Sequence, residues 1–89
     1  MEYRLSGEKM AQQDQVHTYI AETLGLPQNN CLDFEGIRRQ LSQWVQDDVI
    51  VIEKVQCMLM GLGEYGTQLL EAMQKGAQES DHLLLAVEP

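Results

Sequence analysis

Eighty-nine residues, 44% of them hydrophobic, allow one small domain over 1–89. Such a chain buries only about 60 to 65% of its unfolded surface and leaves little room for a two-substrate active site. Six Lys plus Arg against fourteen Asp plus Glu give a formal charge of −8, which repels nucleic acid and anionic membrane at long range and attracts basic proteins.

Residues 1–7 lack the apolar core of a signal peptide, and no run of about 18 apolar residues offers a membrane span. The sequence therefore reads as cytoplasmic. Cys31 and Cys57 lack Cys-x-x-Cys spacing, so a zinc or redox centre is not expected. Both should be reduced thiols, with Cys57 buried and Cys31 more exposed in a loop.

In chain order, residues 2–5 alternate weakly as a first strand, closed by a turn at Ser6-Gly7. Val16, Tyr19, Ile20, Thr23 and Leu24 fall on one face of a first helix. Gly25 at its C′ position and Pro27 beyond stop that helix near Leu24. An amide-rich loop follows, and Asp33 signals the N-cap of a second helix. Phe34, Ile37, Leu41, Trp44 and Val45 recur at three- and four-residue steps and should face a core, leaving Glu35, Arg38, Arg39, Ser42 and Gln43 in water. Asp47-Asp48 makes a turn into the unbroken β-branched run 49–52, whose continuity predicts a strand covered on both faces.

Residues 55–62 fit a short helix or a strand, and Gly63 breaks either. Residues 64–78 form a helix with Tyr65, Leu69, Leu70, Met73 and Ala77 inward, weakened in its last turn by Gly76. Ser80-Asp81 then turns the chain into a last apolar strand, 82–87. The order β-α-α-β-α-α-β predicts an α/β domain with a three-stranded parallel sheet, about four helices and right-handed crossovers.

Few constellations suggest chemistry. Gly61-Leu-Gly63-Glu-Tyr-Gly66 spells Gly-x-Gly-x-x-Gly, and Glu88 follows about twenty residues later, as in a dinucleotide fingerprint. A single βαβ unit spans only half a dinucleotide, so these glycines read first as breaks between two helices. His17 and His82 have no second ligand at metal spacing, and no nucleophile elbow or Walker loop occurs. No enzyme, cofactor or metal is expected. The remaining feature is the outer side of the second helix, where Glu35 precedes Arg38 and Arg39 at spacings that favour intrahelical pairing, worth about 0.2 to 0.5 kcal/mol each. Positions 35, 39 and 43 also form a row, so Asn29, Asn30, Glu35, Arg39 and Gln43 could together form a docking edge.

Leu24-Gly-Leu-Pro27, the loop after it, Leu32-Asp-Phe-Glu-Gly-Ile37, Leu41 and Trp44-Val45 resemble the barstar family of intracellular ribonuclease inhibitors. The similarity extends to Ser6-Gly7-Glu8, His17, the 49–52 strand and Leu62-x-Glu64-x-Gly66. It implies a barstar-like fold and a non-catalytic role in which the loop and second helix, about 28–44, occlude the active site of a ribonuclease or related toxin. By position, it assigns partner contacts to Asn29, where the family has a tyrosine, Asp33, where it has an asparagine, and Glu35, where it has an aspartate. Arg38 stands for a tryptophan. Arg39 stands for the family's dominant aspartate, an inversion that argues against barnase itself as target and for a partner carrying an acidic group. A family glutamate contact falls near 75–80, where Lys75, Gly76 or Glu79 could take its place; Glu79 keeps the charge. The expected partner is a protein, with no nucleic acid or membrane involved, and the free chain is expected to be a monomer. The alternative is a diverged interaction or self-associating module on the same fold, using the Met58-Met60-Leu62 segment.

Overall fold

Three strands align in parallel, in the order β1 (Glu2–Ser6), β2 (Asp48–Glu53), β3 (Leu83–Val87). The computed structural model describes all residues, 1–89. Between β1 and β2 run a 3₁₀ turn (Gly7–Met10), α1 (Gln13–Leu24), a second 3₁₀ turn (Gln28–Asn30) and α2 (Phe34–Ser42). Between β2 and β3 run α3 (Val55–Leu62) and α4 (Glu64–Glu79). The domain is thus α/β, with a three-stranded parallel sheet and four α-helices.

The ends of the elements follow their sequence signals. Gly25 closes α1 at φ 69° and its N–H bonds Ala21 and Glu22 carbonyls, the left-handed cap glycine adopts without a Cβ penalty. Asp33 caps α2 by accepting the Gly36 N–H at 2.7 Å. Residues 55–62 resolve as helix, and Gly63, at φ 63°, separates α3 from α4. The fingerprint-like glycines pack instead of forming a strand-to-helix loop. A Cβ on Gly61 would lie 2.6 Å from Ala11, and one on Gly66 would lie 3.0 Å from Leu62.

Side chains alternate across the sheet. Leu5, Ile50, Ile52 and Leu83 enter the core with Val16, Ile20, Ile37, Leu41, Met58, Leu69 and Met73. The expectation that β2 is covered on both sides holds only in part, since the other face carries no helical layer. Glu2, Arg4, Val49, Val51, Leu84 and Ala86 occupy that face, no member of the core cluster lies there, and Leu84 is 67% exposed. Val51 is nevertheless buried, because its cross-strand neighbour Arg4 spreads over that face to reach Glu2 at 2.7 Å, Glu53 at 2.8 Å and Glu88 at 3.7 Å. An arginine stem covering apolar surface does what a second helical layer would otherwise do.

Three further expectations change. The second helix ends at Ser42, so Val45, expected inside, lies past its end and is 76% exposed. Trp44 stays half-buried and donates its indole N–H to Asp48 Oδ2 at 2.8 Å. Asp48 is not a solvated turn residue: it opens β2, is only 5% exposed, and also meets the N-terminal amine at 3.0 Å. The cysteines are exchanged, Cys31 being fully buried and Cys57 exposed. Cys31 ends the second 3₁₀ turn with its side chain directed into the core, and burial pushes its thiol pKa up.

Acid should loosen this fold. Hydrogen bonding to Lys54 holds the Glu8 carboxyl below its ordinary 4.5, and hydrogen bonding to Arg38 does the same for Glu35. Trp44, then the N-terminal amine, hold Asp48 below 3.8. A carboxyl more acidic in the folded chain than in the unfolded one contributes stability that is complete above its unfolded pKa and is lost as pH falls through its folded pKa. The urea midpoint is therefore expected to fall steadily as pH is lowered from about 5, with a shallower fall in Glu35→Gln. A midpoint independent of pH down to about 2.5 would contradict these pairings.

Candidate functional site

The loop that precedes α2 is held from behind. His17, on the partly buried side of α1, bonds through Nδ1 to the Cys31 carbonyl at 2.7 Å and through Nε2 to the Tyr65 hydroxyl on α4. Phe34 lies against both rings, with centroids 6.3 Å from His17 and 4.8 Å from Tyr65. One imidazole thus ties the loop to two helices. At the start of α2, Gly36 allows the loop to close onto the helix: a Cβ there would lie 2.3 Å from the Asn30 carbonyl oxygen. Clamped at Cys31 and pressed onto the first turn at Gly36, the short loop has few alternative conformations to lose on binding.

The outward side of this segment forms two shallow polar depressions that meet at Glu35. The first, about 390 Å3, is lined by Asn29, Asn30, Asp33, Glu35 and Arg39, together with Leu32 and Gln40. The second, about 500 Å3, lies in the groove between α2 and α4, between Glu35 and Arg38 on one side and Gln68, Glu71, Lys75 and Glu79 on the other. Of the sequence-derived residues, the structure brings together Asn29, Asn30, Asp33, Glu35, Arg38, Arg39 and Glu79. Gln43 follows the end of α2, exposed but outside both depressions.

The two arginines differ in what they have left to offer. Arg38 is half-buried between carboxylates, bonded to Glu35 one turn back and to both oxygens of Glu79 across the groove at 2.6 and 2.8 Å. These partners hold its guanidinium further into the charged state, and they occupy the donors a partner would use. Arg39, expected to pair with Glu35, makes no ion pair within the chain and remains exposed. Arg39 and, across the groove, Lys75 are the cations of this surface that make no ion pair, and the Glu35 carboxylate beside Arg39 is held ionised. Of the three positions near 75–80 expected to touch the partner, Glu79 is bonded to Arg38 of α2, Lys75 lines the same groove, and Gly76 is buried.

Gln68 and Glu71 join Lys75 in lining this groove without having stood out in the sequence. Their three- and four-residue spacing marks one side of α4, opposite the Leu69 and Met73 stripe, but nothing local says that this side borders α2. Gly76 does: a Cβ there would lie 2.6 Å from the Arg38 carbonyl oxygen and 2.8 Å from Leu41 Cβ. The glycine lets the two helices approach closely enough for Arg38 to reach Glu79.

Elsewhere, α3 offers no apolar stripe for self-association, because Met58 and Leu62 are buried and only Met60, 85% exposed, faces water. No group of three or more His, Cys, Asp or Glu side chains comes together to hold a metal. No helix is long and apolar enough to cross a membrane. In comparison with known proteins, no family model matches the chain and no curated protein matches it.

Proposed function

We infer that this chain is a barstar-like binding protein that blocks the active site of a ribonuclease or related toxin by lodging the 28–44 loop and helix in it. The observation that carries this reading is the clamped loop and helix, whose outer side chains take no part in the core while its backbone is fixed by His17, Asp33 and Gly36. A rigid, exposed ridge binds without paying for its own ordering.

The charge pattern supports a particular kind of partner. The net charge of −8 favours encounter with a basic protein. At contact, Glu35 and the free oxygen of Asp33 suit basic groups of a substrate-phosphate site, while unpaired Arg39 requires an acidic group opposite. A cleft that combines basic phosphate-binding residues with a catalytic carboxylate has both. Inhibition is steric and electrostatic, with no bond made or broken by this chain.

Capture of the chain with its native partner from the host, followed by mass identification and an activity assay on the recovered complex, tests this. The expected result is a ribonuclease or another toxin enzyme, inactive at one equivalent of this chain. Recovery of no such enzyme, or of one that remains fully active in the complex, would overturn the assignment.

A further inference from the structure

The two outer strands of the sheet differ in how they protect their edges. In β1, Glu2 and Arg4 are charged and the Ser6 N–H bonds the Tyr19 hydroxyl at 2.8 Å. In β3 the sequence is Leu-Leu-Leu-Ala-Val, with no charge and no proline. Unpaired strand edges are normally blunted by one or the other.

The hydrogen bonds show which groups of β3 remain unpaired. Asp48 N–H donates to the His82 carbonyl and Glu88 N–H donates to the Ile52 carbonyl, so the even-numbered residues of this parallel ladder turn their backbone toward β2. Leu83, Leu85 and Val87 consequently direct their N–H and C=O groups away from the sheet. Beside this edge runs a groove of about 490 Å3 bounded by Gln74, Ala77, Gln78 and Ser80 together with the strand's own leucines. It contains no charged side chain, although the chain as a whole carries −8.

We propose that a second copy of this chain pairs along β3, antiparallel across a two-fold axis at Leu85, to give a continuous six-stranded sheet. A self-complementary edge meets itself in a closed two-fold arrangement, the commonest symmetry of soluble oligomers. In this register Leu85 faces Leu85, and Leu83 faces Val87 of the second copy, so the outward backbone groups fall opposite one another as hydrogen-bonded pairs. Leu84 faces Ala86 on the open face, which joins the exposed apolar surface of the two copies. At the two ends, His82 faces Glu88 of the second copy, a cationic or hydrogen-bonding ring against a carboxylate, so no like charges oppose each other. His82 already holds Asp47 at 2.9 Å through Nδ1 and has Nε2 free of any partner in its own chain. The monomer expected from the sequence is then the dilute form. This surface is separate from the 28–44 ridge and does not depend on its function.

Sedimentation of the full chain from about 1 μM to 1 mM, the range over which weak pairs form, with amide exchange at both ends of the range, tests the proposal. Mass should double with concentration while the amides of Leu83, Leu85 and Val87 become protected. Leu84→Glu, an exposed change that sets a carboxylate diagonal to Glu88 of the second copy, should weaken the dimer by about tenfold. Val87→Pro removes an N–H that β2 does not use and should abolish the dimer while leaving the circular-dichroism spectrum unchanged. A mass that stays monomeric throughout, a dimer protected elsewhere than β3, or a dimer that both variants leave intact would each overturn it.

Discussion

Replacing Arg39 by aspartate is expected to leave the stability of the free chain unchanged within about 0.5 kcal/mol and to weaken its complex with the proposed partner by about a hundredfold or more. The first half follows from exposure: Arg39 forms no ion pair in the chain, and the neighbouring Glu35 keeps its hydrogen bonds to Arg38. The second follows from desolvation. A guanidinium buried in an interface opposite an acidic group needs that group, and substituting a carboxylate both removes the pair and sets like charges together, which costs several kcal/mol. The same change restores the charge that the resembled family carries at this position, so affinity for barnase-like nucleases should rise. Titration calorimetry against the recovered partner and against such a nuclease measures both arms. Unchanged affinity for the partner would remove α2 from the contact. Arg38→Ala makes a useful contrast, since its loss disturbs the link from α2 to Glu79 and should lower stability as well as affinity.

Much of this surface is legible from local pattern alone. Asp33 as a cap, Gly25 and Pro27 as stops, and the 37–41 spacing each express a physical preference confined to one turn of chain, and the folded chain keeps all of them. The misread positions have a common cause: they depend on contacts between residues far apart in sequence. Val45 continues the helical spacing of Ile37 and Leu41, but the helix ends at Ser42, and the Trp44 carbonyl just before Val45 accepts the distant Ser80 hydroxyl at 2.9 Å. Cys31 sits among polar loop residues, and only the His17 clamp, fourteen residues away, turns the loop so that its thiol enters the core. The β-branched run of β2 is apolar on both faces, yet whether a helix or an arginine covers the second face is decided by β1. Gly76 is the clearest case, since helix propensity alone counts it as a weakness.

Gly76→Val is expected to lower stability by about 3 kcal/mol, equivalent to a melting temperature about 12 to 24 °C lower in a domain of this size. Two effects oppose one another at this position. Removing a glycine from a helix interior gains up to about 1 kcal/mol in the case of alanine, and less for a β-branched residue. Against that, even the first added carbon would stand 2.6 Å from the Arg38 carbonyl oxygen, a backbone atom that cannot swing aside like the end of a side chain. Relief requires α2 and α4 to separate, which opens the packing of Leu41 and Ile37 against Met73 and Ala77 in the shared core. Overpacking of this kind typically costs about 1 to 3 kcal/mol, so overlap wins over propensity. Gly76→Ala should fall between the two, with a smaller net loss. Separation of the helices would also draw Glu79 away from Arg38, freeing that guanidinium, so partner affinity should drop in parallel with melting temperature in Gly76→Val, whereas Arg39→Asp affects affinity alone. Thermal unfolding of the two glycine variants, followed by circular dichroism, separates these contributions: an alanine variant that melts higher than the wild type would mean that α2 and α4 do not approach as closely as Gly76 allows.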